Sequence, residues 1–312
     1  MKKLRALLLT EGMHGMISQV EGLAKALKTD FQHIIVRLNW PWNLISPYFT
    51  PLNSLILKNH IKIIQYPDYI ISCGRKSVVP SLILKKKSKG KSKSIHIQDP
   101  KLNINKFDFI VSPEHDGLRG HNIINTKGAL HYLTKEEIEN EKNYLQGKLS
   151  CRKIVSFILG GANKYYNFST GELQKIFEKI KLKFIDKGYG IIVVPSMRTP
   201  KEAIVLASNF FTKDSIVIKQ VDKKAYLSAL GLGDIIVVTC DSISMISEAS
   251  ISNKPIIIAH MNSIRNNYRF KIFFKLFNDL GITRDLEEEN LNWNYKSLNE
   301  AERVASLINK KY

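Results

Sequence analysis

Residues 156–164 read Ser-Phe-Ile-Leu-Gly-Gly-Ala-Asn-Lys, an apolar run that ends in two glycines and a polar segment. A short apolar run bounded by glycine is typical of a strand that is buried on both faces. Glycines lack a Cβ atom, so main-chain N–H groups can approach a phosphate there, and a following helix N-terminus favours negative charge. The stretch predicts an α/β fold and a phosphate-site candidate at Gly160 and Gly161, with an ordinary tight turn as the alternative.

Apolar runs of the same kind alternate with segments of helical period along most of the chain. The first half predicts strands near 4–9, 31–36, 68–73, 94–98 and 107–111, with helices near 17–28 and 76–86. The second half predicts strands near 153–159, 190–194, 215–219, 234–238 and 255–259, with helices near 170–187, 199–210, 222–230 and 242–252. Such alternation predicts two parallel sheets that bind ligands at the carboxyl ends of their strands.

The domain boundary is expected where a charged helix, residues 134–146, meets Gly147 before the next apolar strand. We therefore predict domains over residues 1–148 and 149–312 that face a cleft. A last segment with apolar spacing, residues 298–308, predicts a closing helix.

The chain has 312 residues, and 47 basic against 28 acidic residues give a formal charge of +19. A hydrophobic fraction of 44% is ample for a core and excludes disorder over the whole chain. Three scattered cysteines do not suit a disulfide framework or a zinc cluster, and the first apolar run is cut short at Thr10 and Glu11. These features favour a cytoplasmic protein, with association at the inner face of a membrane left open.

Polar residues follow two further strands of the second half. Arg198 stands after the strand near 190–194, where it could hold a diphosphate, although a solvated arginine beside a helix capped by Thr199 is the alternative. The fourth strand leads into Ser242 and Ser244 at a helix start, where capping explains part of the pattern. Glu248 lies four residues after Ser244, so its carboxylate could accept ribose hydroxyls, and an exposed helix charge is the alternative.

Residues 112–120 of the first half place two carboxylates and an imidazole in a loop directly after an apolar strand. Such a cluster suits proton removal, because a histidine beside carboxylates can act as a general base. The candidate catalytic residues are therefore Glu114, His115 and Asp116. A solvated acidic turn is the alternative.

The positive charge is concentrated in residues 85–93, which contain six lysines. Residues 39–49 carry two Trp, a Tyr and a Phe in a segment broken by proline. Aromatic rings with nearby lysines suit the interface of an anionic membrane. Nucleic acid would suit the same charge, but no recognised nucleic-acid module appears and we expect no such partner. Lysine-rich solvated loops and aromatic packing around an acceptor are the remaining alternatives.

Taken together, these motifs resemble the bacterial branch of the mitochondrial-fission (elongated-mitochondria) protein family, a group related to GT-B glycosyltransferases. The resemblance covers nearly the whole chain. The residues that carry it are Glu11-Gly12, Gly15 and Gln19; Gly74-Arg75-Lys76; Gln98-Asp99-Pro100; Phe107-Asp108; Pro113-Glu114-His115-Asp116 through Gly120; Lys127-Gly128-Ala129-Leu130; Gly160-Gly161; Arg198-Thr199-Pro200; and Asp241-Ser242 through Ser247-Glu248-Ala249.

The resemblance implies two Rossmann-like domains, an acceptor-side N-terminal one and a C-terminal one that binds a nucleotide sugar. Gly160, Gly161 and Arg198 would then face the diphosphate, with Asn163 nearby. Ser242 and Ser244 would face the phosphate or the sugar, and Glu248 the ribose. His115 or Asp116 would supply the base.

The expected function is transfer of a sugar from a nucleoside-diphosphate sugar, with a UDP-sugar expected, to a lipid-linked or envelope glycan. No Asp-x-Asp pair stands at a strand end, so we expect hydrogen-bond donors and a helix dipole, rather than a metal ion, to stabilise the leaving group. An inverting reaction that needs no other cofactor is expected. A non-catalytic GT-B scaffold that binds membranes or proteins is the alternative.

Overall fold

The computed structural model describes residues 3–59, 61, 63 and 65–311, which form two compact units. The first unit lies within residues 1–132 and 299–312, and the second comprises residues 133–298. Each unit is built on a six-stranded parallel sheet, as the alternation of strands and helices predicts.

The sheet of the first unit follows the order β2-β1-β3-β4-β5-β6, with all strand pairs parallel. Helices α1 and α2 follow β1 and β3. The elements are β1 (Arg5–Thr10), α1 (His14–Ala26), β2 (Asp30–Ile35), β3 (Tyr69–Cys73), α2 (Val78–Lys87), β4 (Lys93–Ile97), β5 (Phe109–Pro113) and β6 (Ile123–Thr126).

The sheet of the second unit follows the order β12-β11-β10-β7-β8-β9, again parallel throughout. The elements are α3 (Lys135–Glu141), β7 (Lys153–Leu159), α4 (Thr170–Lys183), β8 (Tyr189–Pro195), α5 (Lys201–Phe210), β9 (Ser215–Val217), α6 (Lys223–Leu232), β10 (Ile235–Thr239), α7 (Ile243–Ala249), β11 (Ile256–Ala259), α8 (Tyr268–Asp279) and β12 (Thr283–Asp285). The last helix, α9 (Glu300–Lys310), belongs to the first unit.

The unit boundary differs from the one expected after residue 148. Helix α3 and the 3-10 turn that follows it pack on α6, where the Leu145 N–H donates to Ser228 Oγ at 3.0 Å. The Ser228 hydroxyl in turn donates to the Lys142 carbonyl at 2.7 Å. These contacts fix residues 134–145 to the second unit. Helix α9 packs on α1 instead, and its Glu300 accepts the Lys127 N–H at 3.1 Å.

Both faces of each sheet are covered, which explains why most strands are continuous apolar runs. In the first unit α1 and α9 cover one face. The other face is covered by α2 and by the segment between β2 and β3, which contributes Val36, Leu38 and Ile56 to that core. In the second unit α4 and α5 contribute Phe177 and Ala207 to the core over one face.

Candidate functional site

The strand order of the second unit places its topological switch point between β7 and β10. When β7 to β12 are numbered 1 to 6, the strand order across the sheet is 3-2-1-4-5-6. The order reverses between strands 1 and 4, that is, between β7 and β10, so the connections on the two sides of this point run in opposite directions. Ligands of open α/β sheets bind at the carboxyl ends of the strands at this switch point. Gly160 follows β7 and Asp241 follows β10, so both lie at the switch point.

The two glycines after β7 have main-chain N–H groups that donate within the unit. The Gly160 N–H donates to Thr239 Oγ1 at 2.8 Å, and the Gly161 N–H donates to Asp241 Oδ2 at 3.1 Å. The structure thus gives both amides protein partners, where the sequence suggested a phosphate. The hydrogen bonds of these two amides connect the carboxyl ends of β7 and β10.

Close packing explains why these two positions are glycine. A Cβ atom on Gly160 would lie 2.0 Å from Asp241 Oδ1, and one on Gly161 would lie 2.0 Å from the Arg198 carbonyl oxygen. Neither contact is possible for real atoms. The absence of side chains at 160 and 161 therefore lets a buried carboxylate and the loop after β8 approach the end of β7.

Arg198 is held at this edge by three hydrogen bonds. Its Nη2 donates to Asp241 Oδ2 at 2.7 Å, and its Nη1 donates to the carbonyls of Gly161 and Ala162 at 3.0 and 3.4 Å. The Asp241 side chain is fully buried, whereas the Arg198 side chain is 37% exposed. The guanidinium is thus fixed on one side and open to solvent on the other. It is not the freely solvated arginine of the alternative interpretation.

Asp241 is the buried acid that organises this cluster. Besides Arg198 and Gly161 it accepts the Thr239 hydroxyl at 2.7 Å. Burial raises the pKa of Asp241, and the hydrogen bond from Thr239 and the charge of Arg198 act in the opposite direction. In the sequence, Asp241 stands only among the residues that carry the family resemblance. Its one signal was a polar Thr-Cys-Asp-Ser run directly after an apolar strand.

The neighbouring polar residues complete the edge. Asn163 donates from Nδ2 to the Asp241 carbonyl at 3.0 Å. Thr199 donates to the Gly160 carbonyl at 2.6 Å and does not cap α5, which begins at Lys201 with Pro200 in the capping position. Ser242 does cap α7, because its Oγ accepts the Met245 N–H at 3.4 Å.

Glu248 lies inside the unit at the end of α7. It is 7% exposed, which excludes the exposed helix charge considered above. The Tyr226 hydroxyl, on α6, donates to Glu248 Oε2 at 3.1 Å. Ser244, one turn earlier on α7, is partly exposed. Tyr226 is a partner that sequence reasoning missed, since its position on α6 gives no sign of this contact.

The acidic loop of the first unit forms a 3-10 turn, Glu114–Asp116, directly after β5. The side chains of His115 and Asp116 are only 3% and 4% exposed, and Nε2 lies 3.5 Å from Oδ1. The two therefore form a buried pair and not a solvated turn. Glu114 is half-buried.

The switch point of the first unit lies elsewhere, between β1 and β3. There Glu11 Oε1 accepts the Lys76 N–H at 3.0 Å, and Glu11 Oε2 lies 3.6 Å from Lys76 Nζ. Gly74 has a φ of 93°, and a Cβ atom there would lie 2.6 Å from Met16 Sδ. This ion pair lies at the switch point, and both of its residues are among those that carry the family resemblance.

The lysine-rich stretch lies at the amino ends of the strands of the first sheet, and the aromatic segment lies at their carboxyl ends. The aromatic segment follows the carboxyl end of β2 and meets Arg75, which follows the carboxyl end of β3. Lys85 stands at the far end of α2 and pairs with Asp108, just before β5, at 2.9 Å. The lysine-rich stretch therefore lies at the amino end of β4, whereas the aromatic segment lies at the carboxyl end of β2.

Two cavities of about 280 and 310 Å³ lie beside β11 and β12, away from Arg198. Both are lined by His260, whose Nε2 lies 2.8 Å from Asp285 Oδ1. Their walls do not include Arg198, Asp241 or Glu248.

Neither a metal-ligand cluster nor a membrane-spanning helix is found in residues 3–59, 61, 63 and 65–311. No group of three or more His, Cys, Asp or Glu side chains that could hold a metal ion occurs in those residues. In the same residues no helix is long and apolar enough to cross a bilayer.

Comparison with known families gives the same assignment as the motifs. Residues 14–312 match the family described as mitochondrial fission ELM1. The chain belongs to this family. The Rickettsia prowazekii protein RP120 is 28% identical over 286 residues, which cover 78% of this chain and 79% of that protein. The mitochondrial fission protein ELM1 of Arabidopsis thaliana is 21% identical over 272 residues, which cover 78% of this chain but only 63% of the plant protein.

Solved structures show what fold this ELM1-family chain adopts. The glycotransferase of kitacinnamycin matches over the whole of both chains with a TM-score of 0.55 and 10% identity. The UDP-GlcNAc 2-epimerase from Neisseria meningitidis, bound to UDP-GlcNAc, matches 99% of this chain and 100% of its own with a TM-score of 0.54 and 11% identity. The fold is GT-B-like, with two Rossmann-like α/β units, which confirms the predicted fold class.

Proposed function

We propose that the second unit binds a nucleoside-diphosphate sugar and that the protein transfers the sugar to an acceptor. The observation that carries the proposal is Arg198, fixed by Asp241 at the switch point of a parallel sheet with its open side toward solvent. A guanidinium has five N–H donors, of which three serve the contacts with Asp241, Gly161 and Ala162. Its planar fork suits a diphosphate.

The same edge supplies groups for the rest of a donor. Glu248 is proposed to accept ribose hydroxyls, in competition with the Tyr226 hydroxyl that it now binds. Asn163, Ser242 and Ser244 are proposed to contact the phosphates or the sugar, and Gly160 and Gly161 to keep the loop close enough for Arg198 to be held. The UDP-GlcNAc bound to the Neisseria epimerase supports a uridine nucleotide as the first donor to test.

Transfer also needs a group that takes the proton of the acceptor hydroxyl. We propose His115 or Asp116 as this base, with the half-buried Glu114 as the third candidate on the same turn. Arg198 would stabilise the diphosphate as it leaves. Direct displacement of this kind inverts the anomeric carbon, and a lipid-linked or envelope glycan is the acceptor class we propose.

Calorimetric titration with a panel of nucleoside diphosphates tests the donor assignment. Arg198→Gln and Glu248→Gln should each weaken binding of the preferred nucleotide at least about tenfold, because each removes a charge-assisted hydrogen bond. The matched controls are Arg152→Gln, at the amino end of β7, and Glu178→Gln, on the outer side of α4, both exposed. A folded protein that binds no nucleoside diphosphate would refute the proposal.

Turnover tests the catalytic assignment separately. His115→Ala and Asp116→Asn should bind nucleotide as the unmodified protein does but lose transfer or hydrolysis of the donor. Activity that persists with EDTA is expected, since Arg198 is assigned the leaving diphosphate. Unchanged turnover in both variants would move the base to another residue.

A second candidate, a non-catalytic GT-B scaffold, is favoured by one observation. The Gly160 and Gly161 amides and three donors of Arg198 already have protein partners. A site with so many of its groups satisfied internally would hold its shape without a donor. Nucleotide binding without turnover of any donor would favour this candidate.

A further inference from the structure

A continuous loop of the first unit, residues 39–58, presents large apolar side chains to solvent. Six of these side chains are between 45% and 78% exposed. Single exposed apolar residues are common on protein surfaces, whereas a cluster of them within one loop is not. We call this segment the aromatic loop. Its exposed members are Trp40, Leu44, Tyr48, Phe49, Leu52 and Leu55.

The loop is fastened to the unit from beneath. Ile56 is buried in the core over the sheet, and Trp42 packs against the same core. Arg75 donates to the carbonyls of Asn43, Leu44 and Ile45 at 2.9, 3.0 and 3.1 Å. The exposed rings are therefore held outward by a fixed backbone, because other side chains of the same loop anchor it.

The loop also satisfies much of its own backbone. Asn39 Nδ2 donates to the carbonyls of Leu55 and Leu57 at 3.0 and 3.3 Å. Ser46 and Asn53 accept main-chain N–H groups of the two 3-10 turns, Pro47–Phe49 and Ser54–Ile56. A backbone group without a partner is costly in an apolar medium, so internal pairing prepares the loop to enter one.

The charge around the loop points to an anionic surface. Residues 31–67 contain no Asp or Glu, whereas Arg37, Lys58 and Lys62 lie among them. Trp and Tyr favour the interface of a bilayer, and basic residues are attracted to anionic headgroups. A second copy of the same loop would bring like charges together, which opposes self-association.

We propose that the aromatic loop docks on the surface of an anionic lipid bilayer, with Trp40, Phe49 and Leu55 at headgroup depth. In this proposal the lysines of residues 85–93 do not contact the bilayer, because they lie at the amino ends of the strands, whereas the aromatic loop lies at the carboxyl ends. The loop and its anchor lie wholly in the first unit, so the proposal does not depend on nucleotide binding by the second.

Flotation of the 312-residue chain with vesicles tests this docking. We expect binding to vesicles of phosphatidylcholine with phosphatidylglycerol, and much less to phosphatidylcholine alone. The variant Trp40→Ala/Phe49→Ala/Leu55→Ala should lower the bound fraction about tenfold, because binding scales with the apolar area inserted. The matched control Leu182→Ala/Val205→Ala/Tyr268→Ala removes exposed apolar side chains from the second unit and should float like the unmodified protein.

Tryptophan quenching by brominated lipids gives a readout that needs no disruptive variant. Quenching on anionic vesicles is expected, and Trp40→Phe should remove most of it. The proposal is overturned if the protein floats with neither vesicle. It is also overturned if Lys86→Ser/Lys87→Ser/Lys89→Ser/Lys91→Ser abolishes flotation while the alanine variant of the loop binds normally. If the protein binds no vesicles but sediments as a dimer, and the alanine variant of the loop sediments as a monomer, the loop is an interface between two copies of the chain and the proposal is overturned.

Discussion

The two units share a six-stranded parallel sheet, yet their carboxyl edges are built in opposite ways. In the second unit the edge is closed by polar contacts, with two glycines, a buried carboxylate and an arginine locked together. In the first unit the edge carries an ion pair between Glu11 and Lys76 and, beside it, the aromatic loop with its exposed rings. The same sheet architecture can thus present a rigid polar site or an apolar surface, and the connections after the strands decide which.

The largest expected effect is on stability and comes from a substitution that disrupts the polar contacts at the carboxyl edge of the second sheet. Gly161→Ala places a Cβ atom 2.0 Å from the Arg198 carbonyl oxygen, a backbone atom that cannot yield cheaply. We expect a loss of about 3 kcal/mol or more in the free energy of unfolding of the second unit. Denaturant unfolding followed by the fluorescence of Trp293, in a Trp40→Phe/Trp42→Phe background, reports on that unit.

The control for this prediction is another glycine of the same unit. A Cβ atom on Gly171, in the first turn of α4, meets nothing within 4 Å. Gly171→Ala should therefore leave stability unchanged or raise it by about 0.5 to 1 kcal/mol, since alanine is the better helix former. Equal free energies of unfolding for Gly161→Ala and Gly171→Ala would contradict the prediction, because they would show that the backbone around Gly161 moves to accept a Cβ atom at little cost.

A pH titration sharpens the comparison, because the units bury different titratable groups. His96 lies in the middle of the first sheet, with Nδ1 2.8 Å from Ser72 Oγ. Burial lowers the pKa of His96 to about 3, although the Asp99 charge acts in the opposite direction. The second unit buries Asp241, whose pKa is raised.

The signs of these two shifts are opposite in their effect on stability. Below pH 6.5 the unfolded chain protonates His96 and the native first unit does not, so the first unit should lose about 2 kcal/mol by pH 5. The raised pKa of Asp241 instead favours the native second unit as the pH falls. Unfolding followed by Trp40 and Trp42 in a Trp293→Phe background measures the first effect.

Replacement of the histidine checks the cause. His96→Gln should flatten the dependence between pH 6.5 and 5, whereas His121→Gln, which removes an exposed histidine of the same unit, should leave it in place. If the dependence survives in His96→Gln, other groups of the first unit cause it.

The sequence predicted the buried strands because strands covered on both faces are continuous apolar runs, as in Ile235–Thr239. The edge strands β6 and β12 were missed. Thr283–Asp285 has no apolar residue, so only its neighbour β11 makes it a strand. Helix α8 was also missed, although Phe273 and Phe277, both buried, stand four residues apart as one helical face requires.

The sequence pointed to candidate residues at the edge of the second sheet but not to the contacts between them, and their roles stay predictions. Polar residues after apolar strands pointed to Arg198, Glu248 and the glycines, because parallel strands bring such residues to one edge. The partner of Arg198 is 43 positions away in sequence, at Asp241, and no local pattern identifies such a pair. The domain boundary was missed for the same reason, since Leu145 and Ser228 meet only in the folded chain.

The smallest expected effect loosens the aromatic loop without unfolding the unit. Arg75→Lys replaces a fork that reaches three carbonyls by a single ammonium, which cannot contact all three. We expect hydrogen exchange in residues 40–50 to quicken about tenfold while the free energy of unfolding changes by less than about 1 kcal/mol, because Arg75 is exposed. Exchange measured by mass spectrometry, with Arg37→Lys as the control on a nearby exposed arginine, tests this. If exchange is unchanged, the core contacts of Trp42 and Ile56 hold the loop by themselves, and its rings are presented by packing alone.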